Sequence, residues 1–260
     1  MIFLEDYNNR VKEINTYFEF VFIIDKTKNI NLENTIFKNN IILDKSGLSH
    51  LNQITDYPID NELKKTLRAN AYLLLYNLIE GSINSGIDAL FSTINQSQLD
   101  LKCLKKDIRE LYLEYSMIIN DENQNLKAKD RKNLRRQLNN LIDKKVEFKH
   151  KNNNNIIMEG HQAYKDKVSK GEISGNIDAI KLQELAKKYG FVLPTINITN
   201  ELLTIKNKRN QLAHGEITFA EAGKEESIED LFILKNTVTQ YFNILMNNIK
   251  VYIKNQEFKM

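Results

Sequence analysis

A single cysteine, Cys103, cannot form an intrachain disulfide, and it points to a reducing compartment. Within LDLKCLKKD it reads as a small apolar residue buried on a helix rather than as a nucleophile. Only 2 prolines and 9 glycines punctuate 260 residues, while Leu, Ile, Lys, Asn and Glu abound. That balance argues against a strand-rich sandwich or barrel and for long helices. No apolar run approaches the ~20 residues that cross a bilayer, so no membrane association is expected. The opening MIFLEDYNNR has no basic segment followed by an apolar one, so it does not read as a signal peptide, and a cytoplasmic protein is expected. None of the four histidines, His50, His150, His161 and His214, stands in an H-E-x-x-H or Cys/His pattern. A Gly-rich phosphate loop and a G-x-S-x-G elbow are also lacking, and the carboxylates are scattered among lysines as on solvated helix faces. No metal and no cofactor are expected.

Charge is present but unevenly spread. The net charge is +3, yet residues 101–151 carry 14 Lys and Arg against 8 Asp and Glu, and the rest of the chain is slightly acidic. A basic face on a near-neutral body suits a nucleic-acid partner.

Apolar spacing of three and four predicts a first helix over residues 3–25 through Phe3, Tyr7, Val11, Ile14, Phe18 and Phe22. A polar, irregular stretch containing Gly47 and Pro58 runs to about residue 60. Residues 61–95 predict a long helix, apolar nearly all round at Tyr72–Ile79 and hence central. Within it, Gly81 and Gly86 allow either a kink or a close neighbour. Residues 99–118 and 126–150 predict two amphipathic helices forming an antiparallel hairpin, followed by a linker at Asn152–Asn155. Asn176 or Asp178 starts a short helix that Gly190 stops, and Thr199 or Asn200 starts another that runs to Ala213, with Gly215 suited to a left-handed cap. Thr218 with Glu221 and Ser227 with Asp230 fit capping boxes, the second opening a final helix to about residue 254. Leu231, Leu234, Val238, Tyr241, Leu245, Ile249 and Tyr252 form its apolar stripe. The expectation is an all-α bundle, one domain over 1–260, with a helical-hairpin insertion at about 99–150.

One segment concentrates reactive groups: IKNKRNQLAHGEITFAEAG, residues 205–223. Arg209 and His214 would stand about 140° apart on an uninterrupted helix, but His214 falls at the helix end, where Gly215 lets the chain turn. A guanidinium near an imidazole, with the Asn210 amide and with Lys206 and Lys208, suits a phosphodiester. Arginine can hold phosphate oxygens and stabilise developing charge, and histidine moves protons near neutral pH. The same residues also suit a helix C-terminus on dipole grounds alone.

The string RNQLAH resembles the R-N-x-x-x-H form of the HEPN ribonuclease motif. Together with residues 67–83, 174–191 and 227–242, its neighbourhood is similar to one microbial subfamily of stand-alone HEPN-like nucleases. That resemblance implies an all-α bundle, a dimer whose two motifs share a cleft, and metal-independent RNA cleavage by the neighbouring 2′-hydroxyl in a toxin or anti-phage setting. It implies that Arg209 stabilises the transition state, that His214 is general acid or base, and that Asn210 orients phosphate or histidine. Asn77 and Glu80 are candidates for a supporting polar residue, or else for a buried hydrogen bond to another helix. Glu221 is a candidate for support or for capping alone. Arg131, Arg135 and Arg136 on the basic hairpin, with Lys206 and Lys208, are expected to meet RNA backbone. Partners implied are RNA, a second copy or a second HEPN chain, and an antitoxin or defence component. The rival reading is a silent HEPN protein serving as an RNA-binding or dimerisation partner. A nucleotidyl-acceptor role is a third reading, but Glu216 stands where its tyrosine would be.

Overall fold

The computed structural model describes residues 1–27, 29–31, 56–112 and 176–260. Along these run α1 (Ile2–Lys26), β1 (Asn29–Asn31), β2 (Asp56–Pro58), α2 (Asn61–Gln96), α3 (Ala179–Tyr189), α4 (Thr199–Ala213), α5 (Phe219–Ala222) and α6 (Ile228–Lys254). The architecture is all-α, as expected. One local departure is an antiparallel ribbon with Asn29 opposite Pro58, where the sequence suggested only irregular chain. The ribbon ends at a proline, which cannot donate to a longer ladder.

α2 is central. Asp60 caps it by accepting from the Leu63 N–H at 2.7 Å, and α1, α4, α5 and α6 all pack on it. Its two glycines mark close approaches. A Cβ at Gly86 would come 3.0 Å from the Ile249 side chain on α6, and one at Gly81 would come 3.0 Å from the Arg10 guanidinium on α1. α6 starts at a capping box, Ser227 and Asp230 bonding reciprocally, and buries every residue of its expected stripe. α1 buries Phe3, Tyr7, Ile14, Phe18, Val21 and Ile24. Phe22 corrects the expected stripe: it is 41% exposed, because a 3.6-residue repeat turns Val21 and Ile24 inward there. Its ring lies on the flank, edge to face with Phe232 at 5.8 Å.

Polar ties fix α1 between its neighbours. The Tyr7 hydroxyl donates to the Thr239 carbonyl of α6 at 2.8 Å, and the Tyr17 hydroxyl donates to the Leu67 carbonyl of α2 at 2.6 Å. Burial pushes the Tyr17 pKa up to about 12, so the hydroxyl stays a donor. Asp25 at the end of α1 holds Arg68 of α2 through a short charge-assisted bond, while Arg68 Nη1 reaches the Glu226 carbonyl before α6 at 3.4 Å. Lys235 is buried between α1 and α6, its ammonium donating to Asn15 Oδ1 at 2.8 Å and lying near the Phe18 and Phe232 rings. Burial lowers its pKa from the ordinary lysine value, which Glu19 offsets only in part.

Cys103 is half-buried at the end of a 3-10 turn (Leu101–Cys103) rather than buried on a helix. Residue 104 bridges to 259, and Phe258 of the C-terminal tail is fully buried. Residues 106–112 are helical; the rest of the expected hairpin, with Arg131, Arg135, Arg136 and Asn152–Asn155, lies outside the described residues, as do His50, His150 and His161.

Of the described glycines, Gly223, at the C-cap of α5, has the least room for a side chain. A Cβ there would sit on the Lys65 carbonyl of α2. Both groups are backbone, so neither can yield by a rotamer change. Gly223→Ala should therefore destabilise the protein by about 1–3 kcal/mol, the usual range for overpacking, and lower its thermal midpoint in a melt followed by circular dichroism. An unchanged midpoint would show that the two helices separate freely here.

Candidate active site on the α4–α5 turn

α4 enters the site from a loop and leaves it through a turn that glycine permits. Neither Thr199 nor Asn200 caps its start. Ile198 holds the cap position with no side-chain bond, and Asn197 Oδ1 accepts from the Thr199 N–H at 3.1 Å instead. The preceding α3 is capped by Asp178, the second of the two expected candidates, and ends at Gly190 with φ +81°. Leu202, Ile205 and Leu212 face α4 inward. At its end His214 is the C-cap and Gly215 takes φ +69°. The Gly215 N–H donates to the Leu212 carbonyl at 3.3 Å and the Glu216 N–H to the Gln211 carbonyl at 2.9 Å. These two bonds are a Schellman motif, which satisfies the last carbonyls and fixes the direction in which the chain departs.

Below the turn lies a small apolar cluster of Ala69, Leu212 and Ala222, with Leu73 and Ile217 packed against it. Ala69, Leu73, Tyr76 and Glu80 recur at spacings of four, three and four, so they share one face of α2. That face meets Gly223 at Lys65, Leu212 at Ala69 and Leu73, and Arg209 at Tyr76. α4 thus runs antiparallel to the first half of α2.

The Arg209 guanidinium lies over the Tyr76 ring, its Cζ 4.9 Å from the centroid, and Nη1 donates to Asn210 Oδ1 at 3.0 Å. Arg209 and Asn210 are therefore brought together, and both are half-buried. His214 is exposed, and its imidazole makes no hydrogen bond among the described residues, Arg209 included. Asn77 is exposed, which removes the buried hydrogen bond considered for it, and Glu80 is half-buried one turn beyond Tyr76.

Lys206 and Lys208 depart from the expected phosphate-facing pair. The Lys206 ammonium donates to Asp178 Oδ2 at 2.7 Å, and Lys208 is held by the Glu225 carboxylate. Both side chains are mostly covered, so each ties α4 to a neighbouring segment. Glu221 completes the capping box of α5, its Oε2 accepting from the Thr218 N–H at 2.7 Å and from the Thr218 hydroxyl at 2.8 Å. Those bonds hold its carboxyl below the ordinary glutamate pKa. Tyr76 is the site residue that the sequence reading missed. Its only signal there was a second phenol, one turn after Tyr72, within the apolar run of the central helix.

The sequence model of one family, HEPN_MAE_28990-like HEPN, matches residues 3–258. No curated protein and no solved structure matches the chain. No helix among the described residues is long and apolar enough to cross a membrane.

Asp178 yields a pH-dependent expectation. Burial alone would raise its pKa, but the Lys181 N–H and the Lys206 ammonium outweigh it and hold the carboxyl below the ordinary value. A depressed folded-state pKa contributes stability that is present above the unfolded-state value and is lost as pH falls through the folded one. Asp178→Asn should therefore be less stable than the parent at neutral pH, and the difference should shrink on acidification to about pH 3, read from urea unfolding at both pH values. A difference that is equal at both would remove the ion pair from the account.

Proposed function

The chain belongs to the HEPN_MAE_28990-like HEPN family, and on that premise we propose that it is a metal-independent endoribonuclease acting through Arg209, Asn210 and His214. The observation that carries the reading is the state of Arg209. A ring and an amide hold its guanidinium, and no carboxylate among the described residues neutralises it. Its remaining N–H groups and its full charge are available to a phosphate.

In this reaction the 2′-hydroxyl of the nucleotide before the scissile bond attacks phosphorus and gives its proton to a base. The 5′-oxygen leaves and takes up a proton, so the products are a 2′,3′-cyclic phosphate and a 5′-hydroxyl. Arg209 stabilises the charge that develops on the phosphoryl oxygens. His214, exposed at the end of α4, serves in one of the two proton transfers. Asn210 acts first on Arg209, whose Nη1 its carbonyl oxygen holds. Each chain supplies one motif to the proposed shared cleft, which favours a homodimer related by a two-fold axis, or a pair with a second HEPN chain, in which each motif faces its counterpart. We place the activity in the cytoplasm, in a toxin or anti-phage defence setting with an antitoxin or a defence component as partner. One domain with a hairpin insertion carries it, and Arg131, Arg135 and Arg136 contact RNA backbone.

His214→Ala and Arg209→Ala should each lower cleavage by about 10²–10⁴-fold while leaving the fold intact. Cleavage should persist in EDTA, leave a 2′,3′-cyclic phosphate and stop when the reacting nucleotide is 2′-deoxy. A folded His214→Ala protein that cuts at the parent rate, or cleavage abolished by chelation alone, overturns this function. The active species should be a dimer by light scattering at assay concentration, and an active monomer would refute the shared cleft.

A further inference from the structure

We propose that Tyr76 is the positioning residue for Arg209: its ring face, rather than a carboxylate, sets where the guanidinium stands. The inference rests on the nuclease reading above and adds to it a residue outside the RNxxxH motif. An arginine on a helix surface has four rotatable side-chain bonds and samples many rotamers unless something holds it. Here Asn210 holds only one nitrogen, at 3.0 Å, and that amide is itself half-buried. The fixed element is Tyr76, 1% exposed on the central helix, with its ring centroid 4.9 Å from the guanidinium carbon.

The ring is held at both ends. Its hydroxyl accepts from the Ile177 N–H at 3.3 Å, and Ile177 is fully buried just ahead of the α3 cap. Asp178, the next residue, grips Lys206 three positions before Arg209 on α4. Tyr76 and α4 are thus tied to two consecutive residues, Ile177 and Asp178, so the ring and the helix bearing Arg209 keep a fixed relation. Attraction to a ring face is electrostatic and consumes no acceptor. It orients the cation without cancelling the charge that a phosphate must meet. A carboxylate in the same place would orient the arginine and neutralise it.

The test separates the ring's charge from its shape. Tyr76→Phe keeps the face and loses the hydroxyl; placing progressively fluorinated phenylalanines at the same position keeps the shape and drains the face of negative charge. The expected result is a stepwise fall in kcat across the fluorinated series, reaching roughly ten-fold, with KM little changed. In the Arg209→Ala background the series should have no effect. A readout that needs no RNA accompanies it: the Arg209 Nε–H resonance in nitrogen-15 spectra should be sharp and slowly exchanging in Tyr76→Phe, and should broaden step by step with fluorination. A resonance and a kcat that stay constant across the series, in protein with an unchanged melting temperature, overturn the proposal. If the parent protein cuts no RNA, the nuclease reading fails, and the resonance series alone decides whether Tyr76 positions Arg209.

Discussion

Small residues set how near the segment 212–223 comes to the first half of α2, and the site depends on that distance. Ala69 on one side and Ala222 and Gly223 on the other leave room for backbone to lie almost on backbone, at Lys65. With α5 seated there, Leu212 and Ile217 close over Leu73, and the turn carrying His214 is pinned from beneath. One helical turn further along α2 the facing residue is Tyr76, and Arg209 is the side chain that α4 brings to it. A larger side chain at position 223 would lift the whole turn, and the arginine with it.

Around this seat the charges are sorted into two kinds. Lys206 and Lys208 are matched with Asp178 and Glu225, and Arg68 with Asp25, so their cations brace one element against another. Arg209 is treated differently: an aromatic face and an amide oxygen orient it, and no carboxylate among the described residues pairs with it. Exposed ion pairs contribute little stability, and the covered lysines here act as spacers between segments. In the proposed reaction a cation oriented in this way would still have its charge to offer a phosphodiester.

Local patterns were legible in the sequence because their partners are three or four residues apart. The two capping boxes, Asp178 as a cap, Gly190 as the stop of α3, the left-handed Gly215 and the whole stripe of α6 appear as expected. Errors arose where tertiary packing shifted a local choice. Phe22 fits the period of α1 nearly as well as Val21, but Val21 and Ile24 take the inward positions and Phe22 lies on the flank beside Phe232. The start of α4 is set by the burial of Ile198 and by Asn197 rather than by the hydroxyl or amide one or two residues later. Tyr76 and the carboxylates that occupy Lys206 and Lys208 were out of reach. Each belongs to another element, and nothing in the motif itself specifies which face of which helix it will meet. The R-N-x-x-x-H string named three side chains; the fold adds the surface that holds the first of them.

The two tyrosines of α1 carry a mechanical consequence. Tyr7 anchors to a carbonyl of α6 and Tyr17, further along the same helix, to a carbonyl of α2. Sliding α1 by one turn, about 5.4 Å, would break both anchors at once and strand one buried and one half-buried phenol without acceptors. Elements that ratchet past one another are a common way to carry a signal through a helical protein. Here α1 behaves as a bolt fixed at two threads, and any signal to or from the α4–α5 turn must bypass it.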